Sequence, residues 1–422
     1  MSTEKKNYAL PIAMMFALFF MISFVTGLPS PMGVIVAKQF GASNFESQLG
    51  FLANFLAYAF MGIPAGIMLK KIGYKKTALA AILVGFVGVG VQYLSGAAGS
   101  FSVYLAGAFI SGFSMCMLNT VVNPMLNTLG GGGNSGNKLL QFGGSINSIG
   151  ATITPMLVGY LMGAAAGRTI EKANPALFLA MGIFALAFVV LFFVDIPEPH
   201  MESKAERDVK HKHSPLSFRH FVLGAIAIFI YVGIEIGIPS TANLFMTAST
   251  SASNIGLGID ATTAGSIVGV YWLLMLVVRL TGASVGTKVS SKMMMITVSS
   301  LGLFLILLAI FCPISATITL PYFLTKVPVS ILFLVLCGLC TSIMWGSIFN
   351  LAVEGLGKYT ASAAGIFMVM VCGGGIVPLI QGFVSDHFGY LNSYWVMFAC
   401  LGYMLFYALV GCKNVNKDIP VE

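Results

Sequence analysis

The chain has 422 residues, of which 57% are hydrophobic and only 9% charged, with mean hydropathy +0.92. A soluble globular domain carries roughly 25% charge, so this composition leaves little room for one. The net charge of +8 would suggest a nucleic-acid partner unless its distribution along the chain says otherwise.

Twelve apolar stretches account for nearly all of the sequence: 8–37, 47–69, 76–96, 101–129, 138–164, 176–194, 219–246, 262–285, 293–316, 327–354, 359–384 and 392–412. They are called spans 1 to 12 below. Each supplies the ~20 apolar residues that a ~30 Å hydrocarbon core requires. Span 1 is too long for a signal-peptide core and lacks a small-residue cleavage site, so it reads as a retained helix.

A polar side chain inside a bilayer is costly unless it faces protein, water or ligand. The polar inventory of the spans is therefore the list of functional candidates. Span 2 carries Asn54. On span 4, Asn119, Asn123 and Asn127 recur every four residues and so share one face, with Pro124 expected to bend the helix. The run GGGGNSGNK at 130–138 imitates a phosphate-binding loop. It lacks the Gly-Lys-Ser/Thr ending, since Asn137 follows Gly136, and no strand precedes it; it reads as a turn. Span 5 adds Gln141 and Asn147.

The segment 196–218 is the longest polar stretch and divides the spans six and six. The expected organisation is an N-terminal six-helix bundle at 1–195, a linker at 196–218, and a C-terminal six-helix bundle with a short tail at 219–422. The halves echo each other. Gly150-x4-Pro155-x3-Gly159 in span 5 recurs in span 11 as Gly373-x4-Pro378-x3-Gly382. Two similar bundles suit a transporter that rocks about a midplane site.

The second half contributes Glu235 and Asn243 on span 7, Trp272 and Arg279 on span 8, Trp345, Asn350 and Glu354 on span 10, and Gln381 on span 11. Glu235 alone among the acids falls near the middle of a span, where a charge costs about 2.5–3.5 kcal/mol. It reads either as a proton or cation coupling site or as a structural carboxyl bonded to a neighbouring helix. Carboxamides suit sugar hydroxyls because each donates and accepts, and they equally serve interhelical hydrogen bonds. Trp272 and Trp345, ahead of Tyr58 and Tyr271, are candidates to stack on a pyranose ring. Trp395 reads as an interfacial anchor. Arg279 and Glu354, near the ends of their spans, read as a gating network or as helix-end anchors.

The five histidines are assigned to loops, which argues against a buried metal centre. Cys337-Gly-Leu-Cys340 has no second pair and no nearby His, so it reads as packing. With both termini on one side, seventeen of the 22 Lys/Arg fall on that side. Only Lys38, Arg168, Lys172 and Lys326 fall opposite, and Arg279 lies within a span. Both termini are therefore expected in the cytoplasm. The basic charge sets orientation and calls for no nucleic acid.

The glycine and basic pattern GIMLKKIGYKK after span 2 resembles the loop signature of the major facilitator superfamily, with Lys70 in its usual acidic position. LNTVVNPMLNTLG (118–130), QFGGSINSIGATITP (141–155), YVGIEIGIPS (231–240), VYWLLMLVVRLTG (270–282), SIMWGSIFNLAVEGLG (342–357) and GGGIVPLIQGFVSD (373–386) resemble, in order, segments of its fucose permease and glucose/galactose transporter branch. The resemblance implies an all-α fold of twelve transmembrane helices in two pseudo-symmetric bundles. It also implies a secondary transporter importing a hexose, with Asn147 facing the cavity and Glu235 in a familiar acidic context. Asn119 stands where the fucose permease has an acid, and the acid expected in span 1 is absent. Either Glu235 then takes over proton coupling, or sodium couples, or the protein is an uncoupled facilitator. The remaining expectations are no enzymatic activity, no cofactor beyond a coupling H+ or Na+, and a small-molecule sugar and the lipid bilayer as partners. No obligatory protein partner is expected, and the location is a bacterial inner membrane. A fucose or amino-sugar permease and a non-transporting sugar sensor are the alternatives.

Overall fold

A computed structural model of the protein describes residues 8–129, 133–162, 169–198, 213–250, 255–285, 289–320, 325–356, 359–416 and 418–419. All twelve expected spans are helical. Among the described residues, eleven helical segments are long and apolar enough to cross a membrane by length and composition. The twelfth, span 5 at Gly133–Met162, carries Ser145, Asn147, Ser148, Thr152 and Thr154 and is correspondingly more polar. Its helix begins at Gly133, so the latter part of the glycine-rich run starts a helix instead of forming a turn.

Several spans are interrupted where their sequences weaken the helix. Span 1 divides into Ala9–Gly27 and Pro29–Gln39; Pro29 has no N–H to give and favours the first turn of a new helix. Spans 2 and 3 run from Leu49 to Ala98, and the chain reverses at Gly73, whose φ of 84° suits glycine. Span 10 divides into Val329–Thr341 and Met344–Val353, and span 11 into Thr360–Met370 and Gly373–Phe388. Spans 4, 6, 7, 8 and 9 are Phe101–Leu129, Asn174–Phe193, Arg219–Thr247, Ala261–Val285 and Ser291–Phe311. Span 12 is Tyr394–Phe406 and closes with a wide turn at Tyr407–Gly411. A two-stranded hairpin between spans 9 and 10, β1 (Thr317–Leu320) and β2 (Thr325–Pro328), pairs antiparallel with Thr317 opposite Pro328. It was not expected from the sequence.

The repeated glycines occupy equivalent contacts in the two halves. A Cβ on Gly150 would press on Phe20 O of span 1 at 2.9 Å, and one on Gly373 would collide with Phe229 O of span 7. At the other end of the motif, a Cβ on Gly159 would lie 2.9 Å from Ala261 O of span 8. One on Gly382 would lie 2.8 Å from Asn44 O, just ahead of span 2. The first glycine thus packs span 5 on span 1 and span 11 on span 7. The last brings each span against the opposite half, as small residues do when membrane helices approach closely. Two seams result, span 5 against span 8 and span 2 against span 11.

The face at which span 1 starts near Tyr8 and span 12 ends near Cys412 is called here the terminal face, and the opposite one the far face. At the far face the halves are joined by side chains. Asn243 Nδ2 donates to Ser30 Oγ at 3.2 Å and Gln48 Nε2 to Ser240 Oγ at 3.4 Å. The far part of span 1 packs on spans 7 and 8, whereas the terminal part packs chiefly on spans 4, 5 and 6.

Candidate functional site

Span 7 is enclosed by its neighbours: every residue from Tyr231 to Thr247 is buried except Glu235. Glu235 is thus the one position of this stretch that is not fully covered, and from Ile236 to Thr247, toward the far face, the span is sealed.

Glu235 Oε1 pairs with Arg279 Nη2 of span 8 at 3.3 Å, and each side chain is 15% exposed. The guanidinium is satisfied on three further sides. Its Nε donates to Ser342 O at 3.3 Å, a carbonyl set free where span 10 breaks between Thr341 and Met344. Its Nη1 donates to Gly144 O at 3.2 Å and to Ser148 Oγ at 2.9 Å, both on span 5 of the other half. Arg279 therefore joins spans 5, 7, 8 and 10 through one rigid donor fork. Tyr271 steadies the same point. Its hydroxyl donates to Glu235 O at 3.3 Å and exchanges a 3.0 Å hydrogen bond with Thr341 Oγ1.

Of the two sequence readings of Glu235, the carboxyl bonded to a neighbouring helix is seen directly, in the pair with Arg279 of span 8. Arg279 pairs with Glu235, and Glu354 lies apart from that pair. Glu354 is an exposed residue at the end of span 10, and its carbonyl oxygen lies 2.9 Å from His220 Nε2. His220 is itself a correction. It is the second residue of span 7, whose helix starts at Arg219 as the apolar stretch predicts, and it is fully buried.

The amides divide into two groups. Asn119 Nδ2 reaches Tyr58 Oη on span 2 at 3.0 Å and Met115 O at 3.1 Å. Asn123 Nδ2 reaches Asn119 O at 2.8 Å, and Asn147 Nδ2 reaches Phe19 O on span 1 at 3.2 Å. All three asparagines are half-buried, as are Trp272 and Trp345, and Asn350 is exposed. Trp345 sits with its ring 6.2 Å from that of Tyr231, one turn before Glu235. The second group is enclosed. Asn54 donates to Ala108 O at 3.3 Å between spans 2 and 4, and Asn243 bonds Ser30 at the far face. Gln381 is within 3.5 Å of Ser393 Oγ. Each is 3% exposed or less, so packing holds them away from an accessible surface. The side chains of Gln141 and Asn127 lie outside the described residues. Tyr58 and Tyr271 are buried, their hydroxyls occupied as described, and Trp395 is exposed, as a residue at the membrane interface is. Among the described residues no group of three or more His, Cys, Asp and Glu is arranged to hold a metal ion.

Residues 15–378 match the family described as Major Facilitator Superfamily. The chain belongs to that superfamily. A glucose/galactose transporter of Brucella abortus biovar 1 (strain 9-941) is 29% identical over 421 residues, covering 98% of this chain and 97% of the relative. The L-fucose-proton symporter of Escherichia coli (strain K12) is 23% identical, covering 92% and 89%. Among solved structures, the superfamily transporter FucP in the outward conformation aligns with TM-score 0.69 and 21% identity over 95% of this chain and 98% of that one. A D-xylose-proton symporter aligns with TM-score 0.68 and 13% identity over 97% of each. The superfamily chain is thus a multi-pass membrane protein with a transporter fold, and not an enzyme.

Sequence reasoning named Glu235 and Arg279 separately and missed what joins them. Ser148 and Gly144 lie in the quoted segment QFGGSINSIG, and Ser342 opens SIMWGS. Their signal was the polarity of span 5 and the Ser-Ile-Met-Trp-Gly-Ser weakness of span 10.

Proposed function

We propose that the protein is a secondary transporter that imports a hexose, glucose or galactose, across the cytoplasmic membrane of a bacterium by alternating access, driven by a proton or sodium gradient. The observation that carries this reading is the accessible Glu235–Arg279 pair. A carboxyl in the middle of span 7 is held by a guanidinium whose Nη1 reaches Gly144 and Ser148 of the opposite half across the seam. Uptake or loss of a cation at Glu235 changes the partner set of Arg279 and hence the contact between halves. The curated relatives supply the substrate class, and the half-buried amides Asn119, Asn123 and Asn147 with Trp345 and Trp272 supply chemistry that suits it. Carboxamides pair with hydroxyls, and an indole face covers the C–H side of a pyranose. Asn350 and Glu354 belong to the terminal mouth in this reading, and Asn54, Asn243 and Gln381 keep helices in place.

The halves that rock are 1–195 and 219–422, joined by the 196–218 linker. The positive charge of the terminal side places it in the cytoplasm. In this reading the far face, joined by Asn243 to Ser30 and Gln48 to Ser240, is the outer face and is closed. Uptake into proteoliposomes across a panel of glucose, galactose, fucose and amino sugars, under imposed pH or sodium gradients, tests the reading. Accumulation of glucose or galactose is expected. Selective accumulation of fucose would move the substrate to the symporter branch, and saturable binding with no uptake would replace transport by sensing.

A further inference from the structure

A short helix, Asn44–Ser47, leads into span 2 at the far face. The first amides of any helix have no partner inside it. Here Glu46 N is met by Ser43 Oγ at 3.1 Å, and Glu46 returns a carboxylate oxygen to Ser43 N at 2.8 Å, which fixes the turn. The other two exposed amides are met from the opposite half. Asp386, at the far end of span 11, accepts from Asn44 N at 2.8 Å with one carboxylate oxygen and from Phe45 N at 2.9 Å with the other. Around this pair Tyr390 Oη donates to Asn44 Oδ1 at 2.8 Å, and Asn44 Nδ2 donates to Ser385 Oγ at 3.3 Å. Gly382, one turn before Asp386, lets the two backbones meet.

The terminal face has a carboxylate in a similar role. Glu198 accepts from Tyr74 N and, at 3.0 Å, from Lys75 N, just after the reversal at Gly73. That contact ties the chain after span 6 to the start of span 3 and does not cross a seam. The contact at Asp386 does cross it, between residues more than 340 positions apart.

We infer that Asp386 is the latch of the far face: its carboxylate holds the two halves together there, and the far face opens only when Asn44 N and Phe45 N leave it. Both bonds are charge-assisted and short, and both are lost together because one side chain makes them. When the face opens, the carboxylate and the amides pass to water, so the latch is reversible. The inference takes from the transport reading only its consequence, that every turnover breaks this contact.

The test measures the two faces without any sugar. Full-length protein in nanodiscs, with the two native cysteines that are not buried replaced (Cys312→Ser, Cys400→Ser), is spin-labelled in two versions. A far-face pair is placed at Phe40→Cys and Ile255→Cys, and a terminal-face pair at Leu129→Cys and Val353→Cys. Asp386→Ala is expected to raise the ratio of far-open to far-closed molecules by roughly a hundredfold, about tenfold for each of the two charge-assisted hydrogen bonds lost, and to shorten the terminal-face distance in the same molecules. Asp386→Asn, which keeps the shape and one acceptor oxygen, is expected to shift both distances in the same sense by less. Unchanged distances in Asp386→Ala would overturn the latch. So would a far-face change with the terminal-face distance unmoved, which is local fraying. Failure of hexose uptake leaves these distances unaffected and bears on the transport reading alone.

Discussion

At the scale of single residues, Glu235 and Arg279 depend on each other in unequal ways. A buried ion pair contributes little net stability, but removing one partner strands the other charge at a cost of about 3–5 kcal/mol; the 15% exposure of each side chain places the loss near the lower end. Arg279→Gln is therefore expected to lower the melting temperature in detergent markedly, and Glu235→Gln/Arg279→Gln to regain most of it. A double variant as unstable as Arg279→Gln would mean that the contacts to Gly144, Ser148 and Ser342 matter more than the charge. Asn119 offers a milder case. Its hydrogen bond to Tyr58 joins spans 4 and 2, and such bonds in membranes average about 0.6 kcal/mol, so Asn119→Ala should cost little stability. For Asn123→Ala and Asn147→Ala, weakened sugar affinity in a protein that still inserts is the expected outcome, read as the concentration dependence of uptake. Loss of insertion would assign these amides to the fold.

At the scale of elements, the count of spans was legible because an apolar run of bilayer length has few other uses. The orientation of side chains was not. Most spans are apolar all round, so their sequences carry little 3.6-residue periodicity to say which face a lone Asn or Gln presents. Asn54, Asn243 and Gln381 are thus indistinguishable in sequence from Asn123 and Asn147, and only packing separates them. The breaks in spans 10 and 11 follow the same logic: Ser342 and Cys372 interrupt runs without a proline at the break, and the freed Ser342 O is taken up by Arg279 of span 8, that of Cys372 by Gly375 N and Ile376 N of its own span. The glycine repeat was legible, and its geometry makes a prediction. A Cβ on Gly382 meets only backbone, at 2.8 to 3.0 Å, whereas one on Gly182 meets nothing within 4 Å. Gly382→Ala should slow uptake by disfavouring closure of the far face, with Gly182→Ala behaving as wild type. Equal uptake by both would remove close approach at this seam from the mechanism.

At the scale of the whole molecule, the two halves meet along two seams, are fastened at the far face, and share one guanidinium near the middle. The ionisable pair is thereby bonded across the seam, and the proposed coupling of an ion gradient to movement rests on that bond. The most direct test compares wild type and Glu235→Gln in proteoliposomes loaded with hexose, following both net accumulation under an imposed gradient and exchange of labelled for unlabelled sugar. The wild type is expected to accumulate and to exchange, and the variant to exchange without accumulating, since exchange needs no net ion movement. Accumulation by Glu235→Gln at the wild-type level would show that the carboxyl at the seam does not couple transport.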